Sequence, residues 1–272
     1  MPLDIDLTGS PVIMYLRRAI TRCIVTKKEV EARMADIHSN FTYRLPYVER
    51  VQTGLIEATK SFAFPSEAEH AHLAGETSCY YACQRMKTRM LETESGRRIL
   101  AERPRMRSPF IDKDTIAAYP PNTLGGAYHK FLSTYGYEYD HRPRVRHTQD
   151  EEIAYIFQRY KEIHDFYHVC LQQGVTFYDE ILVKFFESKQ TSLPGAAGSV
   201  VFGHFVLGMT VNWQSAGKLA LQDGPRMIRI AGKAKDFMSV MFEEHFNEDF
   251  HQFRKWIFNA EDSDDEALES SN

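Results

Sequence analysis

The stretch Glu151–Gln173 does most to limit what this chain can fold into. EEIAYIFQRYKEIHDFYHVCLQQ sets Ile153, Ile156, Tyr160, Ile163 and Tyr167 at helical spacing. Thr148 and Glu151 form a capping box ahead of it, a hydroxyl for an exposed amide and a carboxylate three residues on. Gly174 supplies a stop, and Thr176 is placed to cap a second helix, FYDEILVKFFESKQ, running to Pro194. Further helical runs are YVERVQTGLIEATKSF after Pro46, EAEHAHLAGETSCYYACQRMKTRMLET after Pro65, and RRILAERPRM, which closes at Pro104. Between Ser108 and His147, prolines and glycines break the pattern into loops around one short helix near AYHKFLSTY. Alternating Val/Ile/Thr strands are scarce. The expected fold class is all-α, a single helical domain with long loops.

Composition allows this: 272 residues, 43% hydrophobic and 26% charged, can bury a sizeable core. The net charge of −4 comes from the end of the chain, where Glu261, Asp262, Asp264, Asp265, Glu266 and Glu269 lie close together. Without these six acids the body is +2, with no dense basic stripe, so nucleic acid is not an expected partner. The expected organisation is an N-terminal extension (1–44), a helical domain (45–258) and a disordered acidic tail (259–272). MYLRRAITRCIVTKK, from Met14, has five basic residues and no acid, and reads equally as a targeting segment or as an amphipathic first helix. The cysteines are sparse; Cys79 and Cys83, four apart, read as small buried side chains. No charged residue occurs between Gln190 and Lys218, yet Gly195, Gly198, Gly203 and Gly208 punctuate the segment. It reads as a buried or interfacial segment rather than a spanning one.

The chemistry-bearing residues are His164, Asp165, His168 and Glu180. His164 and His168, at i and i+4, leave one helix face a turn apart and can grip one ion. Glu180 follows a short turn and can face them from an antiparallel neighbour. Two imidazoles with one or two carboxylates suit zinc or a similar divalent ion. A di-iron bundle would need two Glu-x-x-His repeats on separate helices, and only one cluster is present.

At these residues the chain resembles the Coq-four family of coenzyme Q (ubiquinone) biosynthesis proteins, whose signature is HDxxH, eleven residues, then Glu. RILAERPRM (98–106), TLGGAYHKFL (123–132), DEEIAYIFQRYKEIHD (150–165) and EILVKFFESKQTSLP (180–194) also resemble family blocks in family order. The similarity extends from Leu45 to Ile257. The resemblance implies an all-helical protein, peripheral on the matrix side of the mitochondrial inner membrane, in a complex of ubiquinone-synthesising enzymes. It implies Zn2+, or another divalent metal, on His164, Asp165, His168 and Glu180. It also implies C1-decarboxylation, oxidative or not, of a 4-hydroxy-3-methoxy-5-polyprenylbenzoate. The alternative is a non-catalytic, lipid-binding scaffold of that complex.

Direct loss of CO2 from an aromatic carbon would leave an unstable aryl anion. With a para hydroxyl, protonation or oxidation of that carbon instead gives a dienone that can expel CO2, while a metal steadies charge on oxygen. Tyr160, Tyr167 and His204 are candidate proton donors. For the polyprenyl tail, residues 193–213 are expected to provide a groove, with Gly195, Gly198 and Gly203 as floor and Val201, Phe205 and Leu207 as walls.

Overall fold

The computed structural model describes residues 26–38, 47–63, 68–138, 142–148 and 150–259. Among them the structure is helical, with one isolated bridge between Thr123 and Asp249 as the sole β feature. The acidic stretch from residue 260, and most of the basic run from Met14, lie outside the described residues. The first half comprises α1 (Lys27–His38), α2 (Tyr47–Ala63), α3 (Ala68–Ser78), α4 (Tyr80–Glu92), α5 (Glu94–Glu102), α6 (Lys113–Ala117) and α7 (Leu124–Tyr135). The second comprises α8 (Glu151–Leu171), α9 (Phe177–Thr191), α10 (Pro194–Thr210), α11 (Trp213–Lys218), a π-helical turn (Leu219–Asp223), α12 (Gly224–Lys233) and α13 (Phe250–Phe258).

Local chemistry sets most of these boundaries. Arg103 ends α5 in the left-handed region, φ 49°, because Pro104 cannot continue the helix. Gly136, φ 68°, closes α7, where a side chain would be strained. Two expected boundaries move. The cap of α8 is Asp150, whose carboxylate accepts from the amides of Glu152 and Ile153. Thr148 is drawn away because Glu76 takes the amides of Arg146, His147 and Thr148. Gln172, φ 53°, ends α8 before Gly174 is reached, which frees the Gly174 carbonyl for another use. The long run after Pro65 is divided at Cys79 into α3 and α4, and both Cys79 and Cys83 are buried there. Part of the expected extension, Lys27–His38, is the helix α1; its Met34 is buried and the Arg33 carbonyl accepts from Arg105 Nη1 at 2.9 Å.

The helix α8 is the axis of the fold. Residues Ile153 to Leu171 are all buried, including Gln158, Arg159, Lys161, Glu162, His164, Asp165 and His168. The polar face of the helix is turned inward along with the apolar one. It survives burial because its charges meet partners on surrounding segments. Arg159 pairs with Glu243 at 2.8 Å and donates to the Val240 carbonyl. Glu162 takes Arg105 at 2.6 Å, the Met106 amide at 3.0 Å and Gln158 Nε2 at 2.8 Å. Gln158 in turn accepts from the Val145 amide, fixing the 142–148 segment against the axis. The apolar positions pack on Tyr128, Phe237 and Phe242, with Phe166 stacked 4.4 Å from Tyr128 and 4.5 Å from Phe242.

Burial ranks these ion pairs. Glu162→Ala strands the Arg105 guanidinium in the core and is expected to cost about 3–5 kcal/mol in denaturant unfolding. Glu138→Ala, which breaks the solvent-exposed pair with Lys113, is expected to cost about 0–1 kcal/mol.

Candidate metal centre

The α8–α9 turn builds the site. Thr176 caps α9 through a reciprocal capping box with Asp179, so α9 starts at once and folds back along α8. Glu180, one turn in, thereby faces His164 and His168. Its Oε2 lies 3.1 Å from His168 Nε2 and its Oε1 3.6 Å from His164 Nε2. The two Nε2 atoms are 3.2 Å apart, and all three donor groups fall within 4.8 Å of one another. Both imidazoles are buried, at 5% and 2% exposure, while Glu180 is 37% exposed and forms the open side.

The partner on the other face of each ring sets its tautomer. His168 Nδ1 donates to the Gly174 carbonyl at 2.8 Å, a group that can only accept. His164 Nδ1 meets Glu187 Oε1 at 2.5 Å. Burial pushes the Glu187 carboxyl up, but Lys184, then His164, outweigh it and bring the pKa down to about 2. Glu187 is therefore an anion at neutral pH and accepts. In the neutral rings these partners place the proton on Nδ1, which leaves each Nε2 as a lone pair facing the other ring and a carboxylate, an arrangement that a cation or a proton relieves. Nitrogen ligands about 2.0–2.1 Å from a tetrahedral ion stand about 3.3 Å apart, close to the spacing here. Three protein donors leave a fourth position for substrate or water.

Of the four residues expected at the site, the structure brings His164, His168 and Glu180 to one point. Asp165, about 100° further round the helix, is paired with Arg142 Nη2 at 2.5 Å. Burial would lower the Arg142 pKa, but Asp165, then Glu180 and Glu187, raise it, so the guanidinium stands within electrostatic reach of the centre. Glu187, Lys184, Arg142 and the Gly174 carbonyl were missed by sequence reasoning. The spacing of Glu180, Lys184 and Glu187 at i, i+4 and i+7 was the available signal for the first two. Lys184 Nζ bridges the carboxylates, 3.3 Å from Glu180 and 2.7 Å from Glu187. Tyr160 donates to Glu187 at 3.0 Å, so it steadies the residue that orients His164. Tyr167 is packed 4.7 Å from the Phe237 ring, and His204 stands edge-on to Phe185 at 5.4 Å.

Comparison with known proteins gives this geometry a family. The family model for the Coenzyme Q (ubiquinone) biosynthesis protein Coq4 matches residues 41–259. The chain belongs to the Coq4 family. Among the curated relatives, the ubiquinone biosynthesis protein COQ4 homolog 2, mitochondrial, of Paramecium tetraurelia is 40% identical over 68% of this chain and 87% of its own length. The Caenorhabditis elegans protein coq-4, mitochondrial, is 31% identical over 76% of this chain and 89% of its own. A crystal structure of a Nostoc punctiforme protein has the same fold, with TM-score 0.61 and 16% identity over 77% of this chain and 98% of that one.

The buried Glu187 carboxylate makes stability depend on acid. Its pKa is lowered from an ordinary 4.5 to about 2, so its contribution is complete above 4.5 and lost as pH falls toward 2. In chelator-treated protein, unfolding free energy should drop across that window. Glu187→Gln should flatten the drop, and an unchanged slope would show that Glu187 is not held ionised.

Proposed function

We propose that this chain is a metal-dependent carboxy-lyase of ubiquinone biosynthesis, removing the C1 carboxylate of a 4-hydroxy-3-methoxy-5-polyprenylbenzoate at the inner face of the mitochondrial inner membrane. The observation that carries the reading is the pair of imidazole Nε2 atoms 3.2 Å apart facing Glu180, with one side open. A purely structural ion is normally closed by four protein ligands, and the three donors here favour a substrate-accepting site over the scaffold reading. Zinc or another divalent ion fits His164, His168 and Glu180, with Asp165 acting through Arg142. Bound there, the ion supplies Lewis-acid stabilisation of negative charge on a substrate oxygen.

The residues of the chain do the rest. Glu187 and the Gly174 carbonyl hold the imidazole tautomers and aim Nε2, and Lys184 balances Glu180 and Glu187. In the non-oxidative form a proton adds to C1 of the phenolate ring, giving a dienone that still carries the carboxylate. The C1–carboxylate bond then breaks, its electron pair returns to the ring as phenolate, and CO2 leaves. An oxidative form needs an electron acceptor that zinc cannot be.

The membrane reading rests on α10. Val201, Phe205 and Met209, at i, i+4 and i+8, are 67%, 60% and 66% exposed, and the apolar strip continues through Trp213 and Leu221. No described helix is long and apolar enough to cross a bilayer. The expected groove changes shape. A Cβ on Gly203 would lie 2.3 Å from Ile181 Cδ1, so that glycine admits α9 rather than a lipid. Leu207 is buried while Val201 and Phe205 point outward, so these three do not wall one groove. Gly198 has nothing within 4 Å of a Cβ and stays open. The exposed strip is therefore the surface for the bilayer, and α9, about 22 Å long at 1.5 Å per residue, joins it to the metal centre.

Two measurements test this. Purified protein loaded with zinc, or in turn with manganese, cobalt or iron, should release CO2 from a short-tailed prenylated hydroxybenzoate. His164→Ala with His168→Ala should remove both the ion and the CO2. Failure with every metal, with partner enzymes still bound, would favour the scaffold. Alkaline carbonate should release the protein from mitochondrial membranes, and Phe205→Glu with Met209→Glu should abolish its sedimentation with anionic vesicles at unchanged metal content. Retention after carbonate would overturn the peripheral reading.

A further inference from the structure

Along α8 the acids and arginines buried in the axis are matched: Arg159 with Glu243, Glu162 with Arg105, Asp165 with Arg142. Lys161 is the exception. It is 5% exposed, and among the described residues its ammonium has no carboxylate or hydrogen-bond partner, only the Phe157 ring at 5.9 Å. The acids whose fields reach it, Glu76 and Glu162, make no ion pair with it. Glu76 holds the three backbone amides of the 146–148 segment on its Oε1, and both Glu162 oxygens are taken by Arg105, Met106 and Gln158. Burial accordingly pulls the Lys161 pKa down to about 8.

Lys161 lies on the helix face that carries the metal centre. Lys161 precedes His164 by three residues and His168 by seven, which puts all three on one face of α8. His72 of α3 reports where the charge gathers. Burial, then Lys161, Arg142, Lys184 and His164, together force its pKa down to about 3. Four cationic or imidazole groups thus lie within electrostatic reach of His72. Arg142 is paired with Asp165 through Nη2, and Lys184 with Glu180 and Glu187, while a divalent ion would add two more positive charges. A methionine at 161 would fill the same volume without the desolvation cost of an unpaired ammonium.

We infer that Lys161 is a specificity residue of this site, binding the carboxylate of an aromatic acid held beside the metal centre. The inference rests on the proposed reading of the site as one that takes a hydroxybenzoate, and adds the group that recognises its anionic end. An ammonium without an internal partner is one that an incoming carboxylate can complete, and a ligand lacking the carboxylate leaves it unpaired.

The test separates recognition from reaction. Calorimetry on the metal-loaded full chain would compare 3-geranyl-4-hydroxybenzoate with 2-geranylphenol, the same molecule without its carboxylate. Wild type should prefer the acid by about tenfold or more, the factor expected of a charge-assisted hydrogen bond. Lys161→Met should erase that preference by weakening the acid alone, Lys161→Arg should retain most of it, and metal content should not change. Without ligand, Lys161→Met should melt at a higher temperature than wild type, because a buried unpaired charge has been removed. Equal binding of acid and phenol by wild type, unchanged acid binding in Lys161→Met, or a lower melting temperature for that variant would overturn the assignment. If binding depends on Lys161 but no CO2 is released, the subsite stands and the carboxy-lyase reading falls. If both proteins release CO2 with equal KM, the reaction stands and the subsite falls.

Discussion

The fold is organised around the charges that α8 carries into the core. A helix buried on every side usually resembles a membrane span in composition, yet this one holds arginine, lysine, glutamate, aspartate and two histidines. Each buried ion pair ties α8 to a segment far away in sequence. Arg105 comes from the loop after α5, Arg142 from the segment before α8, and Glu243 from the 3-10 turn beyond α12. Such pairs contribute little net stability against apolar substitutes, but breaking one leaves a charge in low dielectric. Their effect is to specify a single arrangement of long loops that would otherwise have few preferences.

The same logic produces the candidate metal centre. The imidazoles are held from behind by an ionised Glu187 and by a carbonyl that the end of α8 leaves free, which turns the Nε2 edge of each ring toward Glu180. The centre is a place where acceptors have been brought together deliberately by donors used elsewhere. Tyr160 and Lys184 extend this outward by steadying Glu187, which makes Glu187 as much part of the site as the residues that converge. The exposed apolar strip of α10 follows directly on α9, so the three-residue cluster and that strip belong to successive helices.

Family membership and physics agree on where to look but answer different questions. The Coq4 match names the biosynthetic context of the relatives. What a given side chain does there follows from its partners. Asp165 illustrates the difference. Its place in the HDxxH pattern suggests a ligand or a residue that orients one, and its carboxylate is paired with Arg142 at 2.5 Å.

The sequence by itself determined the helical class, the two helices of the site and the residues that meet there. These follow from short-range rules: period 3.6 for His164 and His168, and a cap at Thr176 that brings Glu180 round after a tight turn. Cap choice at α8 was not local, because Thr148 and Asp150 both suit the role and Glu76, from α3, removes one of them. The inward turn of Arg159 and Glu162 was hidden for the same reason: a charged residue reads as solvent-facing unless its distant partner is known. Gly203 looked like the floor of a groove until Ile181 was found against it. Tertiary structure decided these points because burial, pairing and close approach are properties of two segments, and a single segment carries only half of each.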